Sequence, residues 1–270
     1  MGKYDGKHLT GLVGPLVIRK GKKGQIVSTK ADKVKQTQGT KDSSSMFAKC
    51  STFGKEIRDD LNGLFGKNSD GEMVNRLQKE IRAVMDHCYD KETKTFHFNE
   101  YSFDRLQGFD FNEKSPLKNT LWLWIQPQVQ ISNNILNISL PEFIPNEEIR
   151  FPDDASICEL ELIVGSYGLN VGYHRAIFYQ AITIQKDQIA VPAQEWTFEV
   201  PDGCLCIPAI GLNFYKTRGN FQTNLNSKIF NPAAIIGAPI SPGTFVVPPR
   251  ISGPVYWSPM GVKFPAENEI

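Results

Sequence analysis

The 270-residue chain is 40% hydrophobic and 22% charged, values ordinary for a folded protein and sufficient for one large domain or two modest ones. Its net charge of +1 hides an asymmetry: residues 1–41 carry ten Lys/Arg and two Asp, for +8, and the remainder carries twenty Lys/Arg and twenty-seven Asp/Glu, for −7. Five cysteines, an odd and sparse set, argue against a disulfide scaffold, and no apolar run is long enough to span a membrane.

The opening MGKYDGKHLTGLVG has no uninterrupted apolar stretch of the kind a secretory signal needs, and Gly2 is not followed by the Ser/Thr of a myristoylation site. The expectation is synthesis in the cytoplasm without a signal peptide, with the final location open between an assembled particle and an extracellular filament. Residues 1–42 read as a basic extended arm punctuated by Gly11, Gly14, Gly21 and Gly24. Two β-like runs, Leu16–Lys20 and Gln25–Thr29, flank a Gly-Lys-Lys-Gly turn and predict a hairpin. Val17 and Ile26 would share one face, with Lys20, Lys22 and Lys23 in solvent. A lone two-stranded hairpin is marginal in water, so this one must pack on its own chain or on a neighbour.

Residues 43–92 read as a helical hairpin. Ser43–Ser45 offer N-caps, and Met46, Cys50, Phe53, Ile57, Leu61 and Leu64 recur at spacings of three and four. Met73, Val74, Leu77, Ile81, Val84, Met85 and Cys88 form a second stripe. From residue 93 to 216 the period changes to two. Runs at 121–131, 135–140, 147–152, 157–168, 175–185, 195–201 and 204–216 predict an antiparallel sandwich, immunoglobulin-like or jelly-roll-like. The fold class expected is therefore α+β, mainly β. Residues 217–270 are proline-rich yet apolar, and read as an ordered, extended wrap.

Motifs for chemistry are thin. GKKGQIVSTK lacks the glycine and Lys-Ser/Thr spacing of a phosphate loop. His87, Cys88 and His97 lie near one another, and Cys204 and Cys206 sit two apart on a predicted strand, but neither set has the paired spacing of structural zinc; burial is the cheaper reading, and no metal or cofactor is expected. His8, His87, His97 and His174 accompany no nucleophile signature, and the adjacent carboxylates Asp153-Asp154 and Glu147-Glu148 read as solvated turn charges, so no enzyme is expected.

The segments GLVGPLVIRKGKKGQIVSTK (11–30) and, loosely, QTQGTKDSSSMFAKCSTFGKEIRDDL (36–61) resemble a family of uncharacterised bacterial proteins, a domain-of-unknown-function group covering about a fifth of the chain. Its members open with a Gly-x-x-Gly stretch and a strand pair bearing Lys/Arg and Gly at the turn, followed by a helix and immunoglobulin-like β structure. Where they often carry a Trp and an Arg-Ser-Pro-like continuation, this chain reads Val17-Ile18-Arg19 and Val27-Ser28-Thr29. The family has no established activity, so the resemblance implies fold alone.

The expectation is a non-enzymatic structural subunit that self-associates through its termini into a filament, tube or phage-like particle, without a membrane. The subunit interface is assigned to Leu16, Val17, Ile18, Arg19, Lys20, Lys22, Lys23, Ile26 and Val27 of the arm and to Val255, Tyr256 and Trp257 near the C-terminus. Two alternatives are a nucleic-acid-associated protein using residues 1–41, and a carbohydrate-binding or adhesin-like sandwich using Tyr167, Tyr173, Tyr256 or Trp257.

Overall fold

The computed structural model describes residues 2–21, 24–30, 37–249 and 256–266. Lys22, Lys23 and Val255 of the expected interface lie outside the described residues. The chain forms two compact units, Met1–Ser45 and Met46–Ile270.

The first unit holds four strands, β1 (Lys3–Tyr4), β2 (Leu9–Val13), β3 (Leu16–Gly21) and β4 (Gly24–Thr29), hydrogen-bonded in sequence order as an antiparallel meander. The expected hairpin is thus the second half of a larger sheet. The Asp5 carboxylate accepts the N–H groups of Lys7 and His8 and closes the β1–β2 turn. Between β2 and β3 only Gly14 and Pro15 intervene. Gly14 has φ +60°, the left-handed first position a tight hairpin turn requires.

Helix α1 (Gln38–Asp60) begins in the first unit and continues into the second. It starts five residues ahead of the serines expected to cap it. Thr37 takes that role, its Oγ1 accepting the Thr40 N–H at 3.3 Å.

The second unit is a three-layered α+β fold, mainly β and antiparallel. Its middle layer is a sheet in the order β11–β10–β7–β8–β13, where β7 is Ile157–Gly168, β8 Tyr173–Gln185, β10 Leu205–Arg218, β11 Phe221–Asn224 and β13 Ser258–Pro259; β12 (Ala233–Ile235) also pairs with β10. One face packs against α1 and α2 (Met73–Cys88). Gly54 lets the helices close up, because a Cβ there would lie 3.2 Å from Ile81. Phe53, Ile57, Leu77 and Ile81 are wholly buried against Tyr167, Leu205 and Ile207 of the sheet.

The other face packs on a three-stranded sheet, β5 (Gln128–Ser132), β6 (Ile135–Leu140) and β9 (Gln194–Glu199), in the order β5–β6–β9. Leu136, Ile138 and Leu140 meet Leu160, Leu162, Ile210 and Leu212. Both cores follow from period two: alternate residues of one strand feed alternate cores. A bulge between Val164 and Gly165 shifts the β7–β8 register.

Two of the expected strands differ. Of the 121–131 run, only 128–131 enters a strand and Leu121 makes an isolated bridge to Ile149, while Trp122, Trp124 and Ile125 between them turn into solvent ahead of Pro127. The 147–152 run begins inside a one-turn helix, α3 (Pro145–Glu148), started by its Pro and capped at its N-terminus by the Ile144 N–H donating to the Glu148 carboxylate; the chain extends only after it, where Ile149 bridges Leu121. The proline-rich segment 231–240 lies beside β10, buried from Asn231 through Ala238. Its prolines have no N–H to give, but the carbonyls of Pro232 and Pro239 accept from Leu212 and Cys206.

Candidate assembly interface

The N-terminal sheet contains no buried residue among the described positions 2–45. A sheet of this size normally gains independent stability from an apolar face, and here aliphatic side chains sit on both faces. The register pairs Leu12 with Val17, Val17 with Ser28 and Arg19 with Ile26, which puts Leu12, Val17, Arg19 and Ile26 on one face. Val13, Leu16, Ile18, Lys20 and Val27 lie on the other. Leu12, Val13, Leu16, Ile26 and Val27 are all exposed, the last two at 56% each.

Among the described residues strand β4 is the outer edge of this sheet, pairing with β3 alone. All six of its residues are exposed. Its sequence, Gly-Gln-Ile-Val-Ser-Thr, contains no charge and no proline. Folded proteins usually blunt such edges with lysine, proline, a bulge or a covering segment. Within β3 and β4 the cations are on the inner strand, at Arg19 and Lys20 of β3, with Lys30 just past the end of β4.

Of the expected interface residues, Leu16, Arg19, Lys20, Ile26 and Val27 are exposed, and Val17 and Ile18 half-buried, within one sheet. Tyr256 is exposed and belongs to the second unit. Trp257 turns inward: its ring stands 4.7 Å from that of Phe245, with the Arg175 guanidinium 5.4 Å from its centroid. Leu12 and Val13 of β2 were not assigned to the interface from sequence. The Gly14-Pro15 turn between two short apolar runs was the signal for them.

The second unit holds three sets of groups with chemical character. His87, Cys88, Asp90, His97, Tyr101 and Arg105 border an open cleft of about 790 Å³. Arg105 is engaged with Glu80 at 2.7 Å, burial pushes the Cys88 thiol up, and no group of three His, Cys, Asp or Glu among the described residues is arranged to hold a metal. Cys204 and Cys206 are wholly buried. All five cysteines are free and buried, and burial raises the Cys50 thiol to about 11.

The third set joins α1 to the central sheet. His174 of β8 faces Asp60 and Glu56, one helical turn apart on α1, at 2.9 and 3.6 Å. The ring of Tyr167, from the neighbouring strand, lies parallel to the imidazole. Its hydroxyl is buried without a hydrogen bond of sound geometry, and Gly165 leaves the room that hydroxyl occupies. Burial first, and then the Asp60 carboxylate, push the Tyr167 pKa well up. The four side chains thus join α1 to the central sheet through the contacts of His174 with Asp60 and Glu56. Burial of Tyr167 also removes it from the aromatic surface expected for a glycan.

No protein-family model, no curated protein and no solved structure matches the chain.

Proposed function

We propose that the chain is a non-enzymatic assembly subunit that joins copies of itself through its N-terminal sheet. The observation that carries this reading is β4, an exposed edge strand with no charge and no proline, whose outer side no described strand pairs with. Strand addition at such an edge supplies affinity through main-chain hydrogen bonds and register through alternate side chains. The exposed Leu12, Val13, Leu16, Ile26 and Val27 add apolar area that a second subunit would remove from water, at about 25 cal/mol per Å². The opposed charges of residues 1–41 and of the remainder, +8 and −7, favour unlike ends meeting. Contacts of that type repeat without closing and generate filaments or tubes.

The same charge supports a nucleic-acid tail less well. Tyr4 is the one aromatic in residues 1–41, and the strand most open to a partner is uncharged.

Sedimentation velocity of the full chain over a hundredfold concentration range tests the reading. Growing species are expected for the natural sequence, with their loss when Ile26→Lys and Val27→Lys place charge on both faces of β4. A single monomeric boundary for the natural sequence at every concentration overturns it.

A further inference from the structure

Accepting that assembly reading, we infer that the strand receiving β4 of one copy is the outer edge of β8, Phe178–Gln185, in the next.

Strand β8 pairs with β7 along its length, but β13 covers its other side only at Tyr173 and His174. From Phe178 onward no described strand pairs with that side. The run Phe-Tyr-Gln-Ala-Ile-Thr-Ile-Gln is again free of charge and of proline. Tyr179, Ala181, Thr183 and Gln185 are exposed on one face of the sheet. Eight residues accommodate the six of β4 with a residue to spare at each end.

The other edges of the second unit fit less well. Strand β9 carries Glu195 and Glu199, the usual guard of an edge. Strand β11 is four residues long and adjoins Lys216 and Arg218, of the same sign as the arm. Strand β5 is five residues long and adjoins β6, which bears no charge.

Strand β8 instead adjoins Glu159 and Glu161 of β7. These carboxylates accept hydrogen bonds from the Tyr215 and Tyr179 hydroxyls at 3.2 and 2.9 Å, and no described cation pairs with either. With β4 added to β8, the acids lie one strand inside the seam and Arg19 and Lys20 of the incoming β3 one strand inside it on the other side. Three strand spacings separate them, about 14 Å. That exceeds the screening length of about 10 Å at 0.1 M salt, so these charges orient the encounter at low salt and form no ion pairs across the seam.

The test uses two full-length variants. One blocks the donor edge (Ile26→Lys, Val27→Lys) and keeps the acceptor. The other blocks the acceptor edge (Ala181→Lys, Thr183→Lys, both at exposed positions) and keeps the donor. Light scattering on a sizing column is expected to read each alone as a 30.3 kDa monomer and their equimolar mixture as a species of twice that mass. Natural thermal melts establish that both are folded; Thr183→Lys alone replaces the double variant should that one melt early, and its expected effect is at least a tenfold weaker self-association. An acceptor-blocked variant that still assembles like the natural chain overturns the β8 assignment while leaving assembly through β4 standing. A natural sequence that never assembles removes the assembly reading itself.

Discussion

His174 Nδ1 lies 2.9 Å from Asp60 Oδ2, and its Nε2 lies 3.6 Å from Glu56 on the same helix. A ring that offers both nitrogens to carboxylates serves them best as an imidazolium. The hydrogen bond that His174 donates to Asp60 raises the His174 pKa, and burial only partly opposes it; Glu56 adds to the rise, Lys55 works against it, and the Tyr167 ring stacks on the imidazole.

The sign of the pH dependence follows. A histidine whose folded pKa is raised contributes stability that is fully present below its ordinary value of about 6.5 and is lost as pH climbs through the raised one. Thermal melts of the natural chain should therefore lose ground above pH 6.5 relative to His174→Gln. The variant should start lower by about 1.5–3 kcal/mol at pH 6, the range for hydrogen bonds to charged groups. Parallel stability curves for the two proteins across pH 5.5–9 would show that the pair contributes nothing.

Gly203 has φ +60°, and a Cβ there would run into the main-chain nitrogen of Phe245 and lie 2.9 Å from the Gly243 carbonyl oxygen. Neither obstacle is the end of a movable side chain. Gly203→Ala should cost about 2–4 kcal/mol, combining the left-handed backbone penalty with overpacking. Urea unfolding reads it as a lower midpoint at unchanged slope. A midpoint within error of the natural chain would contradict the described backbone.

Val74 and Leu77 stand on the same apolar stripe of the sequence but part ways in the structure. Leu77 is wholly buried between helix and sheet, whereas Val74 is 44% exposed. Leu77→Ala should cost about 2–5 kcal/mol and Val74→Ala well under 1. Equal costs in denaturant titrations would mean that α2 presents a different face to the sheet.

Thiol accessibility provides a fourth check on the body. With all five cysteines buried and the Cys50 thiol raised to about 11, a thiol reagent at pH 8 should label the folded chain slowly and label five groups once it is unfolded. Rapid labelling of Cys204 or Cys206 under native conditions would be inconsistent with their place in the core.

Much of this architecture was legible in residue order. The helical stripes from Met46 to Leu64 and from Met73 to Cys88 fall into one core because spacings of three and four leave no other face for them. The period-two runs 157–168 and 204–216 are the central strands β7 and β10. What misled was local ambiguity. Leu121 to Ile131 alternates well enough for a strand, yet after a single bridge from Leu121 to Ile149 the chain exposes Trp122 and Trp124, and the ladder resumes only past Pro127. Glu147 to Pro152 also reads as extended, but Pro145 preorganises a helical turn at its start.

The interface was legible only in part. Lys20, Lys22 and Lys23 drew attention to the arm through their charge, whereas the property that singles out β4 is the absence of charge from Gly24 to Thr29. That absence acquires meaning only once the pairing order makes β4 an outer edge. The same holds for β8: nothing in Phe178–Gln185 says which of its sides has no described strand beside it until β13 is seen to pair at just two residues. Strand order depends on contacts far apart in sequence, and period-two patterning does not encode it.

Negative-stain electron microscopy of the purified full-length chain, at low salt and high concentration, tests the central claim most directly. Regular filaments or tubes that disappear with Ile26→Lys, Val27→Lys are the expected result. Fields of isolated 30.3 kDa particles under every condition would contradict the account.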